Sequence, residues 1–88
     1  MNWSRHASQR WAERFPGINW EDVLTRAKRP GHKARKKIRQ LAPNHAHENT
    51  GSFDHGKYLL WSRRDGVVFV IATEPVEIVV TVFPTEYR

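Results

Sequence analysis

The stretch from Lys57 to Phe83 constrains the fold more than any other part of this chain. Two strand-forming runs, 57–63 and 67–72, flank Asp65-Gly66, a dipeptide that favours tight hairpin turns. Glu74-Pro75 marks a second turn, and Val76 to Phe83 is a third run rich in β-branched residues. Strict alternation across that last run places Val76, Ile78, Val80 and Val82 on one side, and Glu77, Val79, Thr81 and Phe83 on the other. Three consecutive strands joined by short turns form an antiparallel meander.

What precedes the meander reads as helix. A first helix is predicted from Ser4 or Arg5 to Phe15, with Trp3, Ala7, Trp11 and Phe15 recurring every four residues as its buried stripe. Pro16-Gly17 stops it. A second helix starts at the N-cap Asn19, with Glu21 and Asp22 where the helix dipole favours acids, and Ile18 and Val23 are spaced for a hydrophobic staple. Its core face is Trp20, Val23, Leu24 and Ala27, and Pro30-Gly31 ends it. A third helix, His32 to Ala42, has one narrow apolar face of Ala34, Ile38, Leu41 and Ala42 and is cationic elsewhere. Its like charges weaken it in isolation, so ordering on a partner is one expectation. Residues 44–56 read as a polar loop. The whole is one small α+β domain spanning 1–88. Two or three N-terminal helices (about 4–42) pack on a C-terminal antiparallel meander of three to four strands (57–84).

Composition narrows the function. The chain of 88 residues lacks cysteine, so neither disulfides nor thiolate metal sites are available. It has no apolar run of membrane-spanning length and no leader-like start, so a cytoplasmic location in a bacterial host is expected, with no membrane partner. The net charge of +6 is concentrated. Lys28, Arg29, Lys33, Arg35, Lys36, Lys37 and Arg39 fall in a stretch that contains no acid, while the rest of the chain is slightly acidic. A local positive field of this kind suits a phosphate backbone, RNA above all, with an acidic protein surface or plain solvent as the competing readings. Trp61, Phe69 and Phe83 are candidate stacking surfaces for bases, or else core.

His6, Arg10 and Arg14 are spaced four apart and share one face of the first helix, about 100° from the buried stripe. Metal-free RNA cleavage needs a base, an acid and cations on the phosphate; histidine suits the proton roles, and arginine only the charge role. The competing reading has His6 against Trp3 and the arginines paired with Glu13 and solvent. Candidates for a second proton carrier are Lys57, Tyr58, Tyr87 and the loop residues His45, His47 and His55. The loop histidines with Glu48 and Asp54 lack a recognised metal-ligand spacing, so neither metal nor cofactor is expected. Gly-rich phosphate loops, zinc-finger spacings and nucleophile elbows are missing from the sequence. Proline at the joint between the second and third helices argues against a helix-turn-helix.

The order helix–helix–meander, with Ser4-Arg5-His6-Ala7, Arg10 and Arg14, then Ile18 and Glu21-Asp22-Val23, and finally Val80-Thr81-Val82-Phe83-Pro84, resembles small phage, plasmid and toxin-system domains of the barnase–EndoU–colicin–RelE-like ribonuclease superfamily. The resemblance spans the chain in outline and is thinnest through the basic segment and the histidine loop. It implies helices on a curved antiparallel sheet and metal-independent RNA cleavage. His6 would be the acid–base group, Arg10 and Arg14 would hold the scissile phosphate, and Thr81 would donate a hydrogen bond to it, with the basic run gripping the backbone. Some members of that group act as binding modules, so the alternative expectation is a non-enzymatic protein that binds a host or antitoxin-like protein, or nucleic-acid machinery.

Overall fold

The structure, a computed structural model, describes residues 2–41, 57–73 and 76–85. Ala42, the loop residues His45, His47, Glu48, Asp54 and His55, the Glu74-Pro75 turn and Tyr87 lie outside the described residues. The elements run β1 (Asn2–Trp3), α1 (Arg5–Arg14), α2 (Trp20–Arg26), α3 (His32–Leu41), β2 (Lys57–Ser62), β3 (Val67–Ala72) and β4 (Ile78–Pro84). Three helices followed by strands make the α+β class. The sheet order is β1-β4-β3-β2. The three meander strands pair antiparallel, whereas β1 joins β4 in parallel, so the sheet is mixed rather than purely antiparallel. Trp3 therefore belongs to a strand and not to the helical stripe. The chain turns into α1 at Ser4, whose hydroxyl accepts the Ala7 amide as an N-cap.

Local signals explain the boundaries. Asn19 Oδ1 accepts the Glu21 amide at 2.9 Å and opens α2. Gly17, at φ +77°, supplies the left-handed turn after α1, a conformation that costs glycine little. Gly66, at φ +67°, does the same at the β2–β3 hairpin. The expected staple is loose, because Val23 is fully buried while Ile18 stays 46% exposed. The Ile18 carbonyl instead accepts the Trp11 indole N–H at 3.0 Å, which ties the interhelical turn to α1.

The sheet is covered on both faces. Ala7, Trp11 and Phe15 of α1 and Val23 of α2 pack with Val67, Phe69, Ile71, Val79 and Val82 on one side. Ile38 of α3 packs with Leu59, Trp61, Val68, Val70 and Phe83 on the other. This explains the unbroken apolar run of β3, since a strand buried on both faces has no solvent side on which to place polar residues. The α3 helix is thus held by its own apolar face, Ile38 with Ala34 and Leu41 beside it, against the sheet.

The strict alternation expected for the last strand fails at one residue. Val70 pairs with Thr81, but Ile71 pairs with Val79, so Val80 is an extra residue in β4. Beyond this bulge the faces exchange. Val79 and Val82 both face α1 and α2, while Phe83 and Val80 face α3. Thr81, directly opposite Val70, lies on the α3 side as well.

Candidate nucleic-acid interface

The α1 stripe runs along the outer edge of β4, and structural bonds engage most of it. Beyond Val79, that edge has no partner strand among the described residues. An open edge leaves carbonyls that another chain can pair with, and native sheets usually block them. Here Ser4 Oγ donates to the Val80 carbonyl at 3.2 Å and Arg14 donates to the Val82 carbonyl at 2.7 Å. The Ser4 amide closes on Val79 O at 2.9 Å. Arg10 pairs with Glu13 at 3.0 Å, as the competing reading of the stripe expected. His6 is exposed on the same helix.

Thr81 does not join these residues. The bulge at Val80 puts it on the opposite face of the sheet, where it is buried and its hydroxyl has no hydrogen-bond partner among the described residues. The four residues assigned to phosphate chemistry by resemblance are therefore split, His6, Arg10 and Arg14 on one side and Thr81 on the other. Of the candidate stacking rings, Phe69 and Phe83 are fully buried core, while Trp61, 6% exposed, is a core residue that also lines the cavity described below. Phe69 lies 5.8 Å from the parallel ring of Trp11. The helix-turn-helix is also excluded, because α2 and α3 pack on opposite faces of the sheet.

A second basic region forms at the other edge of the sheet. To pass from α2 on one face to α3 on the other, the chain wraps around β2. As it does so, Lys28 makes a two-bond bridge to the strand, its N–H to Trp61 O at 3.0 Å and the Trp61 N–H to its carbonyl at 2.8 Å. This segment covers the β2 edge at that point and carries Lys28 and Arg29 to the surface. The β2–β3 hairpin adds Arg63 and Arg64, both exposed at the turn. The Arg26 guanidinium makes a bidentate pair with Asp65, at 2.9 and 3.0 Å, and so ties the end of α2 to the turn. Arg26, with the Ser62 hydroxyl as the second contributor, holds the Asp65 carboxyl below its ordinary value.

These cations surround an open cavity of about 330 Å³. Arg26, Lys28, Arg29, Arg63 and Arg64 contribute to its lining, with Pro30, Gly31, Ala34 and Trp61 as its apolar part. Asp65 offsets one of the five charges. The Arg29 guanidinium sits 4.4 Å from the Tyr58 ring centroid and Arg63 sits 5.1 Å from that of Trp61. Stacking uses the face of a guanidinium and leaves its N–H edge for an anion. Lys33, Lys36, Lys37 and Arg39 are exposed on α3, which starts beside the cavity, while Arg35 is half-buried.

The basic run thus reaches the surface as a continuous feature, but its centre includes three arginines that the run does not contain. Arg63 and Arg64 directly precede Asp65-Gly66, and a hairpin tip is exposed; that was the available signal. Arg26 had none, since its partner Asp65 lies 39 positions away. No helix among the described residues is long and apolar enough to cross a membrane, and they hold no cluster of three or more metal-ligating side chains. Comparison with family models, curated proteins and solved structures gave no match.

Proposed function

We propose that this protein is an RNA-binding module that grips the sugar–phosphate backbone with the surface running from the outer side of α3 around the β2 edge to the β2–β3 hairpin. One observation carries the reading: five cations from α2, the α2–α3 connection and the hairpin gather around a single cavity, and Asp65 is paired with one of them, Arg26. Cations brought together from residues 26–29 and 63–64 have to be held against their mutual repulsion, and an anionic ligand is what relieves it. RNA, rather than DNA, is the partner suggested by the ribonuclease resemblance. Cleavage is not part of the proposal. His6 and Thr81 lie on opposite sides of the sheet, and Arg14 already serves the β4 edge.

The test is fluorescence anisotropy with a labelled single-stranded RNA over a salt series. Affinity should fall steeply with salt. Lys33→Ala/Lys36→Ala/Lys37→Ala should flatten the log–log slope by up to about 2, at about 0.7 for each phosphate of the single strand left without its lysine. Salt-independent binding, or none, defeats the proposal, and tighter binding to DNA of the same sequence defeats its choice of RNA. Gel analysis of the same RNA in EDTA checks the ribonuclease alternative: cyclic-phosphate fragments that disappear with His6→Ala would reinstate it.

A further inference from the structure

The cavity at the β2 edge differs from the rest of the basic surface. The exposed lysines of α3 present charge alone. The cavity combines charge with an apolar wall formed by Pro30, Ala34 and Trp61. A ligand that satisfies both needs an anionic group and a flat apolar body. Its volume of about 330 Å³ lies at the lower end of the range for small-molecule sites, roughly 300–1,000 Å³. We propose that this cavity receives one unpaired nucleotide of the bound strand, with its phosphate on the N–H edges of Arg63, Arg64 and Lys28 and its base along the wall of Trp61, Pro30 and Ala34. This inference rests on the RNA-binding reading and adds to it a site that selects single strands.

The walls are set without help from a ligand. Lys28 is fixed to Trp61 by two backbone bonds. The Trp61 indole N–H donates to Thr85 Oγ1 at 3.2 Å, inside the core. Asp65 is held by Arg26 from α2, and the Ser62 hydroxyl donates to it from the end of β2. A cavity framed in this way is already in shape when the ligand arrives, so binding spends little free energy on ordering protein. Arg63 completes the arrangement. Its guanidinium lies over Trp61, and a guanidinium plane is itself a stacking surface for a splayed base.

Selectivity for single strands follows from the geometry of the ligand. A base inside a duplex is stacked on both sides and reaches a cavity only by flipping out, at a cost of a few kcal/mol. An unpaired nucleotide pays much less. Duplex RNA still meets the cations of α3 and the hairpin, but its bases stay out of the cavity.

The experiment uses the full chain and two probes. Adenosine and uridine monophosphates, with inorganic phosphate as the control, are titrated at millimolar concentration and followed by NMR at the Trp61 indole N–H. Single-stranded and duplex RNA of equal length are compared by anisotropy. The expected result is a saturable shift of the Trp61 signal by the nucleotides and not by phosphate, and tighter binding of the single strand. Arg63→Ala/Arg64→Ala should abolish the nucleotide shift and lose most of the single-strand preference. The α3 triple-lysine variant should weaken the oligonucleotide at least several-fold and leave the nucleotide shift in place. Equal shifts with phosphate alone would overturn the nucleotide assignment. Oligonucleotide binding with equal affinity for both strand states and a silent Trp61 would overturn the cavity while leaving the backbone grip intact. No binding of any oligonucleotide would remove the RNA reading itself. If Arg63→Ala/Arg64→Ala disturbs the fold, seen in the dispersion of core methyl signals, Arg63→Gln/Arg64→Gln repeats the test with the stems retained.

Discussion

The two edges of the sheet are guarded in opposite ways, and the difference decides which basic residues are available to a ligand. Along β4 beyond its two-residue pairing with β1, the guards are side chains. Ser4 and Arg14 donate to the carbonyls of Val80 and Val82, and the neighbouring Arg10 is paired with Glu13. At the β2 edge the guard is backbone. Lys28 bridges Trp61 through its main chain, and its side chain is exposed. A cationic stripe on a helix and a cationic segment beside a strand look equally suited to phosphate in sequence. What separates them is which group closes the sheet. Where an arginine does so, its charge goes to the fold; where peptide groups do so, the charges above them face solvent.

The most severe way to break this comparison is at Trp61, which serves both the core and the cavity. Trp61→Ala should destabilise the protein by about 3–5 kcal/mol, the usual cost of emptying a buried aromatic site. It should also remove nucleotide binding in whatever fraction stays folded, measured by urea denaturation and by titration of the folded sample. Trp61→Phe keeps most of the volume and loses the bond to Thr85 Oγ1, so its loss should be nearer 1 kcal/mol. A Trp61→Ala protein as stable as the parent would show that the indole does not fill the core where the structure places it.

The next contrast is between Arg14 and the hairpin arginines. Arg14→Ala leaves the Val82 carbonyl without its charged donor and should cost about 1–2 kcal/mol, toward the lower end for a half-buried bond to a charged group. RNA affinity should change by less than threefold. Arg63→Ala/Arg64→Ala should do the reverse, changing stability by no more than about 1 kcal/mol, the size of an exposed cation–π contact such as that of Arg63 with Trp61, and lowering affinity for single-stranded RNA by about tenfold or more. Urea midpoints and anisotropy on the same preparations check both arms. If Arg14→Ala weakened RNA binding as much as the hairpin pair, the α1 stripe would be part of the interface, and the division between the two edges would fall.

Local chemistry made much of this fold legible in the sequence. Ser4 and Asn19 cap helices because their side-chain oxygens reach amides two or three residues on, and Pro16-Gly17 and Asp65-Gly66 turn the chain by their own backbone preferences. None of that depends on the rest of the molecule. The bulge at Val80 depends on how β4 pairs with β3, and one inserted residue sent Thr81 to the other side of the sheet. The parallel pairing of Asn2–Trp3 with β4 depends on contacts more than seventy residues apart in the chain. The site divides on the same principle. The run from Lys28 to Arg39 is visible as charge because it is continuous, and the apolar spacing of Ala34, Ile38 and Leu41 gives α3 its inward face. That Arg26, Arg63 and Arg64 gather beside the run follows from the wrap around β2, which is a tertiary event with no local mark.

The smallest and most specific prediction concerns Asp65, where the fold and the cavity share one carboxylate. Arg26 first, and then Ser62, hold this carboxyl below its ordinary value of 3.8. A carboxyl with a lowered folded-state pKa stabilises the protein above its unfolded pKa. That contribution is lost as the pH falls from the ordinary carboxylate range through the lower folded-state value. Asp65 is half-buried beside an exposed arginine, so the contribution is that of a partly screened surface pair and is modest. Asp65→Asn should lower stability slightly at neutral pH and flatten the acid limb of a stability–pH curve, measured by thermal melts in a series of buffers. The same change removes the carboxylate paired with Arg26, which raises the positive potential over the cavity. RNA should therefore bind somewhat more tightly at low salt, with the gain fading as salt screens it. Opposite signs for stability and affinity from one substitution are what a carboxylate pinning a basic hairpin would give. If both fell together, Asp65 would be holding the hairpin arginines in their binding positions, and its role in shaping the cavity would outweigh its charge.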